Sequence, residues 1–141
     1  MENDFSTIRK HITVTCAIIE RDGLVLATQR SASMSMPGKW EFPGGKIDPG
    51  ESPEECLHRE IHEEIAIKIR IASSLPACTH KYPTFTITLL PFICTIEKGE
   101  LILHEHADMV WLMPSQLPTL DWAEADIPVM EAYISRRNRK V

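Results

Sequence analysis

Apolar residues along the chain fall in short β-branched runs, broken once by a segment in which they recur at every fourth position. His11 to Glu20 predicts a strand, because branched side chains suit a pleated, half-buried surface. Arg21-Asp22-Gly23 predicts a turn, and Leu24 to Gln29 the second strand of a hairpin. Ser31 to Gly45 carries Pro37, Gly38, Pro43, Gly44 and Gly45, too many breakers for regular structure. A loop enclosing a short Trp40-Glu41-Phe42 strand is expected there.

The fourfold recurrence follows. Ser52 suits an N-cap, Pro53 the first helical position, and Glu55 stands three residues after the cap. These signals predict a helix from about Pro53 to Ile65, with Leu57, Ile61 and Ile65 as its buried stripe. Strands are predicted at Lys68 to Ala72, Ala77 to Tyr82, Thr84 to Ile96, Leu101 to His104 and Met109 to Met113. A turn of helix is expected at Pro114 to Leu117. Ala125 to Arg137 reads as a final amphipathic helix, and Arg136-Arg137-Asn138-Arg139-Lys140 as its solvated end, favourable against the helix dipole. Two helices among many strands predict an α/β or α+β sandwich in one domain over residues 1–141.

Composition narrows the function. The 141 residues are 43% hydrophobic and 25% charged, ordinary for a globular protein. A net charge of −5 argues against a nucleic-acid polymer as partner but leaves room for a small anionic ligand. No apolar run is long enough to span a bilayer, and Met1 to Phe5 lack a signal-peptide pattern, so no membrane association and a cytoplasmic location are expected. Cys16, Cys56, Cys78 and Cys94 form no Cys-x-x-Cys pair and are expected to be reduced, in or near the core.

The helix holds the chemistry. Glu60, Glu63 and Glu64 stand at i, i+3 and i+4, so three like charges share one face. A solvated acidic face is the ordinary reading of such a helix. Three features weigh against it. The cluster lies toward the C-terminal end, unfavourable for the dipole; Arg59 directly precedes it; and a Gly-rich turn leads into the helix. Hard oxygen ligands at this spacing suit a divalent cation.

The stretch from Gly45 to Ile67 resembles the Nudix box, whose pattern is G, five residues, E, seven residues, then R-E-U-x-E-E-x-G-U with U a bulky aliphatic. Gly45, Glu51, Arg59, Glu60, Ile61, Glu63, Glu64 and Ile67 fall in register, and Ala66 stands where the family has glycine. Trp40 to Lys46, Gln29-Arg30, His104-Glu105-His106, Trp111 and Ala125 to Pro128 are similar to the MutT-like and CTP pyrophosphohydrolase-like branch. The resemblance implies the Nudix fold, an α/β/α sandwich around a mixed β-sheet. It also implies a Mg²⁺-dependent nucleoside triphosphate pyrophosphohydrolase, with Mn²⁺ as an alternative ion, that releases a nucleoside monophosphate and pyrophosphate.

By the same resemblance, Glu60, Glu63 and Glu64 ligate metal together with the Gly45 carbonyl, Arg59 orients a carboxylate, and Glu51 supports the site. Glu105 is a metal ligand or general base, while His104 and His106 are loop residues that bind no metal. Arg30 and Lys46 are candidates for phosphate, Phe42 and Tyr82 for the base pocket. Asp126 is expected to read the base, a role that can coexist with its ordinary reading as a helix N-cap. MutT-like enzymes acting on 8-oxo-dGTP have Asn here and the CTP-type relatives Asp. The substrates implied are oxidised or modified (deoxy)nucleotides such as 8-oxo-dGTP or (d)CTP derivatives, handled by a monomer or homodimer. The alternatives are a non-catalytic nucleotide-binding module and a hydrolase of a nucleoside-diphosphate derivative.

Overall fold

The structure is a computed structural model that describes residues 10–139. The readings of Met1 to Phe5 and of Lys140 therefore lie outside the described residues. Strands β1 (Lys10–Arg21) and β2 (Leu24–Gln29) form the expected hairpin, paired through Glu20–Val25 and Arg21–Leu24. Asp22 and Gly23 both take positive φ, +54° and +79°, as a two-residue turn matched to strand twist requires.

β1 is the spine of the sheet. Beside β2 it pairs antiparallel with β4 (Gly44–Lys46), and it runs parallel to β7 (Phe85–Lys98) from Lys10–Phe85 to Glu20–Thr95. Antiparallel β5 (Lys68–Ser74) and β6 (Cys78–Lys81) flank β7, whereas β3 (Trp40–Glu41) and β8 (Asp108–Leu112) flank β2. The sheet is mixed, as the resemblance implied.

Period-two alternation divides the core between the two faces. Cys16 and Ile18 of β1, Val25 and Ala27 of β2, and Leu89 and Ile93 of β7 pack on one side with Val129, Met130 and Tyr133 of helix α2 (Ile127–Asn138). Ala17, Ile19, Leu26, Phe92 and Cys94 pack on the other with Leu57, Ile61 and Ile65 of helix α1 (Pro53–Ile65). This is an α/β/α sandwich. Cys16, Cys56 and Cys94 are buried, Cys78 is partly exposed, and all four are free thiols.

Helix α1 has the predicted bounds. Ser52 Oγ accepts from the Glu55 amide at 3.1 Å, and Glu55 Oε1 accepts from the Ser52 amide at 2.9 Å, completing a capping box. At its other end Ala66 sits in the left-handed region, φ +67° and ψ +20°, with its N–H donating to the His62 carbonyl.

Three expectations are corrected. Leu101 to His104 is no strand: Ile102 N–H donates to the Ile65 carbonyl at 3.1 Å and His104 N–H to the Glu64 carbonyl at 3.0 Å. The open carbonyls of the last helical turn thus capture this extended segment before a sheet edge can. Gly44 and Gly45, expected in a loop, open the strand Gly44–Lys46, because glycine lets it lie tight against β1. A Cβ on Gly44 would overlap the Thr15 carbonyl. The basic end of α2 is not merely solvated either. Arg136 donates to the Ser74 carbonyl at 2.9 Å, and Arg137 pairs at 3.0 Å with Glu20, which also accepts from the Tyr133 hydroxyl. These contacts fasten α2 across β1 and β5. No helix among the described residues is long and apolar enough to cross a membrane.

The left-handed Ala66 costs about 1–2 kcal/mol relative to an unstrained residue, and glycine returns part of that gain as extra unfolded-chain freedom. Ala66→Gly is expected to stabilise the protein by about 0.5–1 kcal/mol. A urea titration measures it, and an unchanged midpoint contradicts the strain.

Candidate active site

Arg59 organises the acidic face of α1. Its guanidinium grips Glu51 with two parallel bonds, Nε to Oε2 at 2.6 Å and Nη2 to Oε1 at 2.9 Å. Nη1 reaches Glu60 Oε2 at 2.9 Å and Glu63 Oε1 at 3.3 Å, and Nη2 also donates to the Lys46 carbonyl at 3.2 Å. One planar cation therefore spans the start of the helix, its acidic face and the strand before it, which a lysine head could not do. The bonds from Arg59, reinforced by the Asp48 amide, hold the Glu51 carboxyl down at about 2.

Four acids, Glu60, Glu63, Glu64 and Glu105, make up the acidic end of the site. Glu64 is buried and accepts from the Gly44 amide at 3.3 Å. Its burial, with the like charges of Glu41, Glu60 and Glu105 added, pushes its carboxyl up to about 9. Glu60 is also raised, chiefly by burial, with Arg59 opposing and Glu63 and Glu105 adding to the rise. Glu60 lies directly against Gly45, where a Cβ would displace its carboxyl group, so glycine at that position leaves the carboxyl where it is. Glu105 is exposed on the loop between β7 and β8, near enough for its charge to act on Glu60 and Glu64. Glu63 is half exposed and turned toward Arg59. Among the described residues no three His, Cys, Asp or Glu side chains converge at metal-ligand distances.

A cavity of about 280 Å³ opens beside this acidic face. Glu64, Gly45 and Lys46 line it together with Phe42, Tyr82 and Asp126. Tertiary pairing brings the last of these into place. Trp40 N–H donates to the Asp121 carbonyl and Ala123 N–H to the Trp40 carbonyl, both at 2.9 Å, so residues 121–123 run alongside β3. Asp126 thereby arrives next to Phe42, whose amide donates to Asp126 Oδ2 at 3.0 Å. Asp126 stands at the N-cap position of α2, but its side chain makes no cap bond there. Burial, with Glu41 added, raises its carboxyl to about 8 against the opposing Phe42 amide and Arg30. Tyr82 accepts from the Ala125 amide at 3.1 Å and stacks on Phe85, and the Phe42 ring packs 4.7 Å from Trp122.

Arg30 lines the cavity but is already engaged, with Glu41 Oε1 at 2.7 Å and Ser35 Oγ at 2.9 Å. Glu41 and His106 are residues that sequence reasoning missed as parts of the site. The His106 side chain is fully buried, and its Nε2 donates to Glu41 Oε2 at 2.8 Å. Glu41 thus sits between an arginine and a histidine while its charge acts on both Glu64 and Asp126. The signals available were an acid flanked by two aromatics in a Gly/Pro-rich stretch and the place of both residues in segments similar to the MutT-like branch.

A NUDIX domain model matches residues 9–133. The chain is 38% identical over 128 residues to the CTP pyrophosphohydrolase of Escherichia coli K12, covering 91% of this chain and 95% of that protein. It is 37% identical over 94 residues to the 8-oxo-dGTP diphosphatase of Proteus vulgaris, 66% of this chain and 84% of the relative. The solution structure of the E. coli ORF135 protein superposes with a TM-score of 0.81 at 36% identity, covering 94% of each chain. The chain is a hydrolase built on an α/β/α sandwich. The chain belongs to the Nudix hydrolase family.

Glu51 lies below its ordinary value of 4.5, so its pairing with Arg59 stabilises the fold above that pH and the contribution is lost as pH falls toward 2. In urea melts, the stability gap between the wild type and Glu51→Gln is expected to shrink steadily over that interval. A gap that stays constant contradicts the pairing.

Proposed function

We propose that the protein is a Mg²⁺-dependent nucleoside triphosphate pyrophosphohydrolase that releases a nucleoside monophosphate and pyrophosphate. Its substrates are oxidised or modified (deoxy)nucleotides, with 8-oxo-dGTP and (d)CTP derivatives leading, and its role is to clear them from the nucleotide pool. The carrying observation is the shared cavity. Glu64 and Gly45 border the same space as Asp126, Phe42 and Tyr82, so one ligand can meet both the acidic helix and a buried polar group. The names of the E. coli and Proteus relatives support both substrate classes.

The donor set fits a hard divalent cation. The candidate ligands are all oxygens: the carboxylates of Glu60, Glu63, Glu64 and Glu105 and the Gly45 carbonyl. Glu64 is raised chiefly by burial, with the like charges of Glu41, Glu60 and Glu105 adding to the rise, and a dication beside it would favour the ionised form. When bound, the ion supplies an acidified water and neutralises charge developing on the phosphates. The protein does the rest. Arg59 keeps the Glu60 and Glu63 carboxylates directed while Glu51 anchors Arg59. Lys46 borders the cavity as the candidate for phosphate, and Arg30 holds Glu41 in place from the other side.

Toward the base Asp126 works as a neutral acid near pH 7, able to donate one hydrogen and accept another. Cytosine presents an amino donor beside a ring-nitrogen acceptor, and 8-oxoguanine an N7–H donor beside its O6 acceptor. Either edge suits such a partner, and Phe42 and Tyr82 supply apolar walls.

Two experiments test this reading. In a pyrophosphate-release screen of normal and oxidised nucleotides with Mg²⁺, Glu64→Gln is expected to lower kcat on the order of 10³-fold, with Glu63→Gln also impaired. Undiminished turnover in both variants would sink the metal-site assignment, and no turnover of any triphosphate favours a nucleotide-binding module. For base reading, Asp126→Ala is expected to raise KM for the best substrate roughly tenfold. Because the folded-state value of Asp126 is raised to about 8, the neutral acid prevails below that pH and is lost above it. KM of the wild type should therefore climb above pH 8 while that of Asp126→Asn stays flat. A wild-type profile flat across pH 8 removes the neutral-acid role.

A further inference from the structure

Glu105 is exposed on a loop, yet the chain on both sides of it is tightly held. Before it, Ile102 and His104 donate their amides to the Ile65 and Glu64 carbonyls, and His104 Nδ1 donates to the Glu63 carbonyl at 2.8 Å. After it, His106 Nε2 donates to Glu41 Oε2 at 2.8 Å, and the Ala107 amide donates to the Gln29 carbonyl at 2.9 Å. One histidine fastens the loop to the end of α1 and the other to β3. The two elements carry, respectively, Glu64 and the strand edge leading into Gly44 and Gly45.

The His106 side chain has no exposed surface, and its Nδ1 finds no hydrogen-bond partner among the described residues. An unpaired buried polar atom is unfavourable, and an apolar side chain of similar size would fill the volume without it. The imidazole therefore serves for the bond its Nε2 makes. That bond reaches Glu41, whose other oxygen takes Arg30 at 2.7 Å, so the anchor is itself fixed.

We infer that His104 and His106 are positioning residues that hold Glu105 over the acidic face of α1. They bind no metal and touch no substrate. The inference rests on the reading of Glu105 as a working acid of the site. Groups that orient metal ligands typically alter activity 10–100-fold when removed.

Four variants separate the bond from the volume. His106→Leu fills the space without a donor, and His106→Gln offers an amide donor in place of Nε2. His104→Ala removes an exposed side chain at little cost to folding, and His104→Asn offers a donor in place of Nδ1. With Mg²⁺ and either dCTP or 8-oxo-dGTP, His106→Leu and His104→Ala are expected to lower kcat about 10–100-fold with KM little changed, while His106→Gln and His104→Asn recover most of it. Added to Glu105→Gln, neither damaging substitution should lower kcat further, since the group they position is already gone. Amide hydrogen exchange across residues 102–107 reads the clamp without any turnover and should accelerate in the same two variants. Unchanged exchange overturns the clamp. Faster exchange with full kcat, while Glu105→Gln is impaired, overturns its part in catalysis. An equal loss in the Glu105→Gln background shows that the histidines act elsewhere. Full kcat in Glu105→Gln itself, with exchange still accelerated, removes the reading of Glu105 and with it the positioning role, but leaves the clamp standing.

Discussion

A single guanidinium holds the acidic end of this protein together. Arg59 takes both oxygens of Glu51, one each of Glu60 and Glu63, and the Lys46 carbonyl. Without it, carboxylates three and four residues apart would repel along a helix face whose dipole already disfavours them. Partly exposed ion pairs contribute little to stability, typically about 0–1 kcal/mol each. The more important effect is geometric, since a bidentate pair on Glu51 leaves the remaining donors only a narrow choice of direction. The capping box at Ser52 and Glu55 secures the same helix at its start, so Glu51 and Arg59 are tied to one rigid element.

The site is assembled from opposite sides of the sheet. Helix α1 and its acids belong to one hydrophobic layer, whereas Tyr82, Trp122 and Ala125 belong to the other. β4 joins them. Its pairing with Val14 to Cys16 carries Gly44 and Gly45 past the edge of β1, where the Gly44 amide meets Glu64 and the cavity begins. Glycine is needed at 44 for that approach, against the Thr15 carbonyl, and glycine at 45 leaves room for the Glu60 carboxyl.

Two buried acids share one neighbour. Glu64 and Asp126 both rise in response to burial and to the charge of Glu41, which Arg30 and His106 hold from either side. Isolated buried carboxylates are costly as anions, and proteins that contain them leave them neutral or provide a partner. Here each has one backbone N–H as a fixed partner, the Gly44 amide for Glu64 and the Phe42 amide for Asp126. Both amides come from the Phe42 to Gly44 stretch, so a few residues orient both acids.

Local signals were enough for helix α1, the β1–β2 hairpin and the acidic face, because capping, turn chemistry and side-chain period act over a few residues. The register of Gly45 to Ile67 pointed to the family before any contact was known, and even the strained Ala66 could be anticipated from its place in that register. What the chain alone could not disclose depends on distant partners. The Leu101–His104 segment has the composition of a strand, but the carbonyls that capture it belong to a helix some forty residues earlier in the chain. That Asp126 faces a cavity was decided by the pairing of residues 121–123 along β3, and the burial of His106 by where Glu41 lies. Sequence alone determined the acidic face of the helix, whose residues are neighbours in the chain. Only the tertiary structure decided which remote groups meet it, because hydrogen bonds and burial between distant segments leave no period to read.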